Sequence, residues 1–487
     1  MHRSETATAV SRRQHLADSG MGFTGLAMGA MLAGESSVQA AESTPPAALP
    51  RAKSVIWVFL SGGYSHMETF DPKPALNRYA GKTYSETPFP NPVESPLHKE
   101  RFRSVPSAEI NVRDVYPTIY PMQVGFERHG ESGIAVTDWW PHLSRCVDDI
   151  SFVRNMWTTD NDHAAENQIH TGRHRLDETQ PSIGAWCSYG LGNLNENLPR
   201  FVVLGGPTRT DTRESIDSYY LGPQFAGVPL QLDPANPLKF GVRQPGHTAE
   251  QQAREFALLN SLNRLTAEQY PRDQQLQARI QSYELAFRMQ SAVPDAVSLQ
   301  DETQETQQLY GLDDSATQVA GQRLLAARRM VERGVRFVQV FPSAYGTWDS
   351  HQKLQENHSK MCRSIDQPIA GLLQDLKRRG LMDEVTVVFC TEFGRTPGLE
   401  ERSGGTTGRD HHPNGFTVWL AGAGIRRGYV HGETDELGYH ALGDAHYVTD
   451  LHATVLHLLG LNGAKLEIPG RRRLDIDRGR VISDILT

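Results

Sequence analysis

The sequence predicts an α/β fold, in which helices cover both faces of a mostly parallel central sheet. Short apolar runs bounded by turn residues recur along the chain, as buried strands do. These runs lie at 53–60, 150–153, 201–204, 335–341, 385–390 and 416–420. Helical patterns precede two of them, at 321–333 and 369–379. Because helices that alternate with strands are typical of parallel sheets, we expect this architecture.

The composition is that of an ordinary globular protein with a large core. The chain has 487 residues, of which 38% are hydrophobic and 22% charged, and its formal net charge is −8. This length could hold more than one domain. An acidic balance argues against nucleic acid or an anionic membrane surface as the main partner.

The N-terminal segment has the pattern of a twin-arginine export signal at residues 1–40. Arg12 and Arg13 precede a Gly- and Ala-rich apolar stretch at 21–34, and Val38-Gln39-Ala40 offers a cleavage site. The stretch is shorter than the roughly 20 apolar residues of a spanning helix. We therefore expect no transmembrane span in the mature chain, although an uncleaved anchor is the alternative. The twin-arginine export machinery would deliver the protein to the periplasm or beyond.

The remaining chain is predicted to be a linker at 41–52 and a single domain at 53–487. Within this domain, residues from about 248 to 310 are helical in pattern and rich in Gln and Glu. Phe256, Leu259, Leu262 and Leu265 recur at helical spacing, which predicts an amphipathic insertion with one face packed on the sheet layer. The chain has four cysteines, Cys146, Cys187, Cys362 and Cys390. Their spacing in the sequence indicates neither a zinc knuckle nor a disulfide framework.

The strand at 385–390 is followed by Thr391, Glu392 and, three residues later, Arg395. Ligands bind beyond the carboxyl ends of parallel strands. Glu392 is therefore a candidate metal ligand or general base, and Arg395 a candidate clamp for an anionic ester. The alternative is a structural ion pair between the two.

Two further segments combine acidic and imidazole groups. Asp349 and His351 follow the strand at 335–341, and their i, i+2 spacing lets both side chains lie on one side. A turn capped by Asp349 is the alternative. His411 and His412 lie in a loop before the strand at 416–420. Because neighbours on an extended chain point to opposite sides, we expect one histidine to bind metal and the other to orient it or contact substrate.

The first half of the chain adds three candidates for nucleophile, ligand or proton donor. Ser65 and His66 follow the first strand across Ser61-Gly62-Gly63, a turn that brings backbone close to an anion. His163 follows Asp162 at a predicted helix start, where Asp162 could equally be an N-cap.

These motifs resemble known proteins. The acid after the 385–390 strand, the later histidines and Asp450–Leu461 resemble the C-terminal part of the alkaline phosphatase and sulfatase superfamily. From about Lys53 to the C-terminus the chain more closely resembles the exported bacterial family "domain of unknown function 1501". The matching stretches are SGGYSHMETFDPKP, HTGRH, PSIGAWCSYGLG, NLPRFVVL, RRMVERGVRFVQVF, WDSH, TEFGRTP, GRDHHPNGFTVWLAGAGIRRG and DELGYHA.

The superfamily resemblance implies a metal site formed by Asp349, His351 and either His411 or His412, with Glu392 in a second site. Phe393 stands where the superfamily has a second-site histidine, so this chain differs from an ordinary sulfatase. The implied function is hydrolysis of an anionic small-molecule or glycan ester of phosphate or sulfate, with a divalent ion such as Zn, Mn, Fe or Ca. The alternative is a non-catalytic surface protein that binds sulfated or phosphorylated glycans.

Overall fold

The computed structural model describes residues 50–98, 116–174, 176–206, 214–238, 248–271, 273–402, 406–468, 471 and 478–487. One compact unit comprises residues 46–466 and 474–487. A second unit comprises 1–45 and 467–473, in which Ile468 and Arg471 form an isolated antiparallel bridge. The predicted export signal and most of the predicted linker lie outside the described residues.

A nine-stranded sheet is the centre of the larger unit. Its strands are β1 (Ser54–Phe59), β4 (Ile150–Trp157), β5 (Phe201–Leu204), β6 (Val228–Leu230), β7 (Phe337–Val340), β8 (Val385–Cys390), β13 (Phe416–Gly422), β14 (Tyr429–His431) and β15 (His446–Tyr447). The order is β14-β4-β13-β8-β1-β7-β5-β6, and β15 also pairs with β4. β13 runs antiparallel to β4 and β8, and every other pairing in this sheet is parallel.

Three two-stranded ladders accompany the sheet. They pair β2 (Phe126–His129) with β3 (Ile134–Thr137), β9 (Gly394–Arg395) with β12 (His411–His412), and β10 (Glu400–Arg402) with β11 (Thr406–Gly408). The β9–β12 ladder is antiparallel and places His411 opposite Arg395. It therefore fixes two of the predicted site segments against each other.

Helices cover both faces of the sheet. They are α1 (Pro74–Arg78), α2 (Ala165–Thr171), α3 (Ile183–Leu191), α4 (Ala249–Gln269), α5 (Gln274–Val297), α6 (Gln304–Leu309), α7 (Gln318–Glu332), α8 (Leu354–Arg378) and α9 (Val448–Leu458). Side chains of β1 alternate between the two helical layers. Ile56 and Val58 belong to one core cluster with residues of α7 and α8. Trp57 instead contacts the rings of His170 in α2 and His452 in α9.

A buried charged network joins the helices on the α7 side. Arg328 of α7 lies 2.7 Å from Glu302 and 2.9 Å from Asp375 of α8. Arg329 lies 2.6 Å from the other oxygen of Glu302. Each buried charge has a partner of opposite sign, and removal of one partner from such a pair typically costs about 3–5 kcal/mol.

The predicted α/β architecture with a mostly parallel sheet is confirmed. All six apolar runs contain a strand, and the two helical patterns correspond to α7 and α8, each of which ends one residue before its pattern does. The one antiparallel strand within the central part of the sheet, β13, follows β12, which is formed by His411 and His412. This strand returns from the site edge of the sheet, so its direction opposes that of β8.

The insertion is helical as predicted, but its packing differs from the prediction. α4 and α5 lie within residues 248–310, and Phe256 of α4 stacks on Phe287 of α5 with ring centroids 4.0 Å apart. Leu259, Leu262 and Leu265 do not face the sheet layer, because all three side chains are exposed. Helical spacing alone does not determine which side of a helix is covered.

All four cysteines are buried and free. None of the helices in the described residues is long and apolar enough to cross a membrane.

Two buried histidines make the fold sensitive to acid. His170 Nδ1–H donates to the Glu166 carbonyl at 2.7 Å, and its ring packs on Phe59. His358 Nε2 accepts the backbone N–H of Ser65 at 2.9 Å. Burial lowers the pKa of each imidazole to about 3. The folded protein therefore holds both rings neutral at pH values where the unfolded chain is protonated.

We expect the free energy of unfolding to decrease as pH falls below about 6.5, the pKa of histidine in an unfolded chain. Each of the two groups contributes up to about 1.4 kcal/mol per pH unit. Urea unfolding from pH 7.5 to 5 measures the slope. His170→Asn and His358→Gln should each make the slope shallower, whereas His129→Gln, at a partly exposed position, should not. Equal slopes for all four proteins would contradict this explanation.

Candidate metal centre

The candidate site lies at the edge of the sheet where β8, β1 and β7 end. These three strands are adjacent and parallel, so the segments that follow them emerge side by side. The segment after β1 contains Gly62 and Gly63, that after β7 leads to Asp349, and that after β8 leads to Glu392. Residues from three distant parts of the sequence are thereby brought together.

The turn after β1 requires glycine. Gly62 has φ of 121°, and a side chain there would place Cβ 2.5 Å from the backbone nitrogen of Asp349. The Gly62 N–H donates to Glu392 Oε1 at 2.6 Å. Because this close approach has no room for a Cβ, the glycine lets all three segments meet.

Asp349 lies at the centre of the site. Its Oδ1 accepts a hydrogen bond from Arg395 Nη2 at 2.7 Å, and its Oδ2 lies 3.2 Å from His163 Nε2. Burial favours the neutral acid, but the hydrogen bond from His163 and the charge of Arg395 hold the pKa of Asp349 well below its usual value. The carboxylate is therefore ionised throughout the physiological range.

His411 presents a lone pair to Asp349. Its Nδ1 lies 2.9 Å from the Asn161 carbonyl oxygen, which can only accept, so Nδ1 carries the proton. Burial and the nearby charge of Arg395 lower the pKa of His411, so the neutral ring is favoured. Its Nε2, which is 3.0 Å from Asp349 Oδ1, is then unprotonated. The Asn161 carbonyl thus selects the tautomer that a metal ligand needs.

His351 is oriented in the same way by a carboxylate. Its Nδ1 lies 2.6 Å from Glu400 Oε2, and Asp410 Oδ1 lies 3.5 Å from the same nitrogen. Because the Glu400 carboxylate accepts a hydrogen bond from Nδ1, Nε2 is the nitrogen that faces the centre of the site. Glu400 is buried, although it is part of the polar stretch that forms β10.

Three ligand atoms converge as a result. Asp349 Oδ1, His351 Nε2 and His411 Nε2 lie 3.1, 3.0 and 3.0 Å from one another. Lone pairs at this separation repel unless a proton or a metal cation lies among them. Donors bound to one ion at about 2.0–2.1 Å are themselves separated by roughly 3.0–3.4 Å. The donor set and its spacing therefore fit a divalent cation.

Candidate ligand atoms form two overlapping groups in the described part of the chain. One contains His163, Asp349 and His411, and the other contains His351, Asp410 and His411. Within each group the ligand atoms lie within 4.8 Å of one another. His411 belongs to both groups, so its imidazole is central to the arrangement.

His163 lies on the open side of the cluster. Its Nδ1 is 3.6 Å from Glu392 Oε1, and its ring and Asp349 are each about one-fifth exposed. Burial alone would lower the pKa of His163, but Asp349 and Glu392 together raise it to about 9. The imidazole is therefore held between two carboxylates, with access to solvent.

Glu392 is close to the cluster without belonging to either group. It is fully buried, its Oε1 accepts from Gly62, and its Oε2 accepts from the Thr391 hydroxyl at 2.9 Å. The predicted role of direct metal ligand does not match this position. Glu392 instead faces His163 and fixes the β1 turn.

Arg395 is placed differently from the predicted substrate clamp. Its side chain is fully buried, and its guanidinium donates to the carbonyl groups of Gly62, Gly63 and Arg409 as well as to Asp349. An ester would have no access to these donors. Arg395 therefore supports the site from its buried side and does not line its surface.

The structure does not bring Ser65, His66 and His412 into the cluster. The Ser65 hydroxyl donates to Glu68, which is in turn bound by Arg409. His66 donates from Nε2 to the Gly438 carbonyl at 2.7 Å. His412 stacks on Tyr439 with ring centroids 4.5 Å apart. Of the adjacent pair, His411 therefore enters the cluster and His412 faces away.

Three contributors were not predicted. Asp410 lies in the same GRDHHP motif as His411, so the motif contained the signal. Glu400 gave none, because an acid in a polar stretch is ordinarily exposed. The carbonyl oxygen of Asn161 belongs to the backbone, so its role cannot be predicted from the residue type.

Comparison with known proteins gives family membership and distant structural likeness. No curated protein matches the sequence. A sulfatase from Pseudoalteromonas sp. is similar at 10% identity and TM-score 0.34, covering 90% of this chain and 71% of that one. A phosphonate monoester hydrolase from Silicibacter pomeroyi is 13% identical at TM-score 0.36, covering 71% of both chains. An alkaline phosphatase from the Antarctic bacterium TAB5 is 9% identical at TM-score 0.34, covering 85% of this chain and 99% of that one.

The predicted family is confirmed by a family model described as "Protein of unknown function (DUF1501)", which matches residues 52–486. This match includes every residue of the cluster described above. The chain therefore belongs to the DUF1501 family.

Proposed function

We propose that this protein is an exported, metal-dependent hydrolase of phosphate or sulfate esters. The observation that carries the proposal is the convergence of Asp349 Oδ1, His351 Nε2 and His411 Nε2 at separations of 3.0–3.1 Å. Both histidines have their protons fixed on the far side of the ring. A cluster built in this way is suited to hold a cation.

Asp349, His351 and His411 would hold the ion, with Asp410 as a further ligand. Two imidazoles and a carboxylate favour Zn, Fe or Mn over Ca, which prefers oxygen ligands. When bound, such an ion supplies a Lewis acid that polarises an ester and activates water. Glu400 and the Asn161 carbonyl would hold the two imidazoles in the orientation that directs each Nε2 towards the ion.

His163 is the group that we assign to proton transfer. It lies at the exposed side of the cluster, where the carboxylates of Asp349 and Glu392 favour the protonated imidazole. A protonated imidazole there can attract an anionic small-molecule or glycan ester and donate a proton to the leaving oxygen. Because Ser65 is buried and donates to Glu68, we assign the attack on the ester to water. Its oxygen would bond to the phosphorus or sulfur as the bond to the leaving oxygen breaks, and the proton that it releases would restore the protonated His163.

We expect the mature chain, residues 41–487, to bind one or more divalent ions through this cluster. His411→Gln should weaken binding more than about 100-fold because it removes a ligand shared by both groups. Glu400→Gln should weaken it about 10–100-fold, since loss of an orienting partner has this effect in other sites. Competition with a chromophoric chelator, after removal and reloading of Zn, Mn or Fe(II), measures these affinities.

His412→Asn is the matched control, because His412 is the next residue in the same strand and faces Tyr439. Its affinity should stay within about threefold of that of the original chain, with folding checked by circular dichroism. No ion bound by the original chain would contradict the metal centre. Equal losses in the His411 and His412 variants would contradict the assignment of the ligand.

We expect turnover of at least one member of a panel of aryl phosphates, sulfates and phosphonates by the metal-loaded protein. His163→Asn should lower kcat by about 10²–10⁴-fold, as for loss of a proton donor. This loss should be smallest for p-nitrophenyl esters, whose leaving group needs little protonation. Chelation should abolish turnover in the original chain.

The same panel tests the non-catalytic alternative. A surface protein that only binds sulfated or phosphorylated glycans would bind such ligands without releasing product. Glycan binding with no turnover of any ester, in a sample that holds its ion, would replace hydrolysis with that function. A His163→Asn loss of equal size for all leaving groups would remove the assignment of His163 as proton donor.

Export is the part of the proposal that rests on residues 1–40. Arg12-Arg13 and the apolar stretch that follows predict processing after Ala40. We expect the protein expressed with its full N-terminus in a bacterium to appear in the periplasm with a new N-terminus at Ala41. Arg12→Lys and Arg13→Lys together should leave the unprocessed protein in the cytoplasm. Processing that is insensitive to this double substitution would contradict the twin-arginine route.

A further inference from the structure

Helix α4 exposes a row of leucines. Leu258, Leu259, Leu262 and Leu265 are 64%, 43%, 54% and 58% exposed. All four lie within about two turns of one 21-residue helix. Single exposed leucines are ordinary on protein surfaces, but a contiguous apolar patch marks a surface that meets a partner. We call these four residues the leucine face.

The opposite side of α4 is covered although it is largely polar. Gln252 donates to Gln290 of α5 at 2.8 Å, and Phe256 stacks on Phe287. Asn260 and Asn263 continue this side at helical spacing and are half-buried. A helix that packs only within its own chain normally covers its most apolar side. Among the described residues α4 does the reverse, and its apolar side is exposed.

The spacing of the leucine face identifies the kind of partner. Positions 258, 262 and 265 are separated by four and then three residues, which is the spacing of a coiled-coil seam. The positions that would continue this seam are Glu255 and Gln269, both polar and exposed. The seam therefore has a defined length of about two turns, which fits a helix with a similarly short apolar row.

Charge on the helix argues for a second copy of this chain. α4 carries two arginines and three glutamates, for a formal charge of −1, and no lysine. This balance does not suit an anionic membrane surface, which attracts basic helices. Arg254 and Glu268 are exposed near opposite ends of the leucine face and are equally distant from Ser261. An antiparallel pair with a twofold axis at Ser261 places each Arg254 opposite the Glu268 of the other copy.

We propose that the protein forms a twofold dimer in which the leucine faces of two α4 helices pack antiparallel. The two leucine faces cover each other, and two Arg254–Glu268 pairs flank them. The same surface patch serves both copies, as a twofold interface requires. The proposal is independent of the metal centre.

Sedimentation velocity of the mature chain between about 1 and 100 µM tests the proposal. The expected result is a dimer whose dissociation constant increases more than about 100-fold in the triple variant Leu258→Gln, Leu262→Gln and Leu265→Gln, because these side chains lose their apolar contact. The matched control is Leu176→Gln with Leu194→Gln, at positions that are also about half exposed. It should dimerise like the original chain.

Charge exchange tests the antiparallel register. Arg254→Glu should weaken dimerisation about tenfold, because it sets like charges opposite each other. The double variant Arg254→Glu with Glu268→Arg should restore it. A monomer at 100 µM, or a dimer unaffected by the triple leucine variant, would overturn the proposal. Failure of the double variant to recover would overturn the antiparallel arrangement.

Discussion

The buried guanidinium of Arg395 holds together the segments that form the candidate metal centre. It donates to the carbonyls of Gly62 and Gly63 after β1 and of Arg409 before β12, and to the carboxylate of Asp349. A planar group with five donors can make such bonds in several directions at once, which a lysine cannot. Arg395 also offsets the negative charge of Asp349 from the buried side of the site. One fixed cation thus sets the geometry of the turn, the loop and the strand together.

The charge of the site explains why it would attract a further cation. Four carboxyl groups surround the cluster, and they belong to Asp349, Glu392, Glu400 and Asp410. The fixed positive charges are Arg395 and the protonated His163. Because carboxylates outnumber these cations in a largely buried space, the site has an excess of negative charge. A divalent ion among the ligand atoms would offset that excess.

The sequence predicted the structure well where a residue pattern is compatible with only one structural role. Apolar runs placed the strands, and a strand end placed Asp349 and His351 in the site. The sequence was misleading where a residue type has two uses. Arg395 suits a substrate clamp and a buried scaffold equally well, and the difference is burial, which depends on Gly62 and Gly63 far along the chain. Likewise, the helical spacing of the leucines correctly predicted a helix, but it wrongly predicted that their side of the helix would be covered.

The pairing of β9 with β12 has a consequence for how reliably the site assembles. His411 is opposite Arg395, and His412 is opposite Gly394. Adjacent residues of a strand face opposite sides, so a slip of one residue would exchange the two imidazoles. The slipped ring would still be a histidine, and the local composition would not change. Which of the two imidazoles lies in the cluster is thus a matter of strand register. A side chain at Gly394, whose Cβ would lie 2.0 Å from the Gly415 carbonyl oxygen, would disturb that register without altering any residue of the cluster.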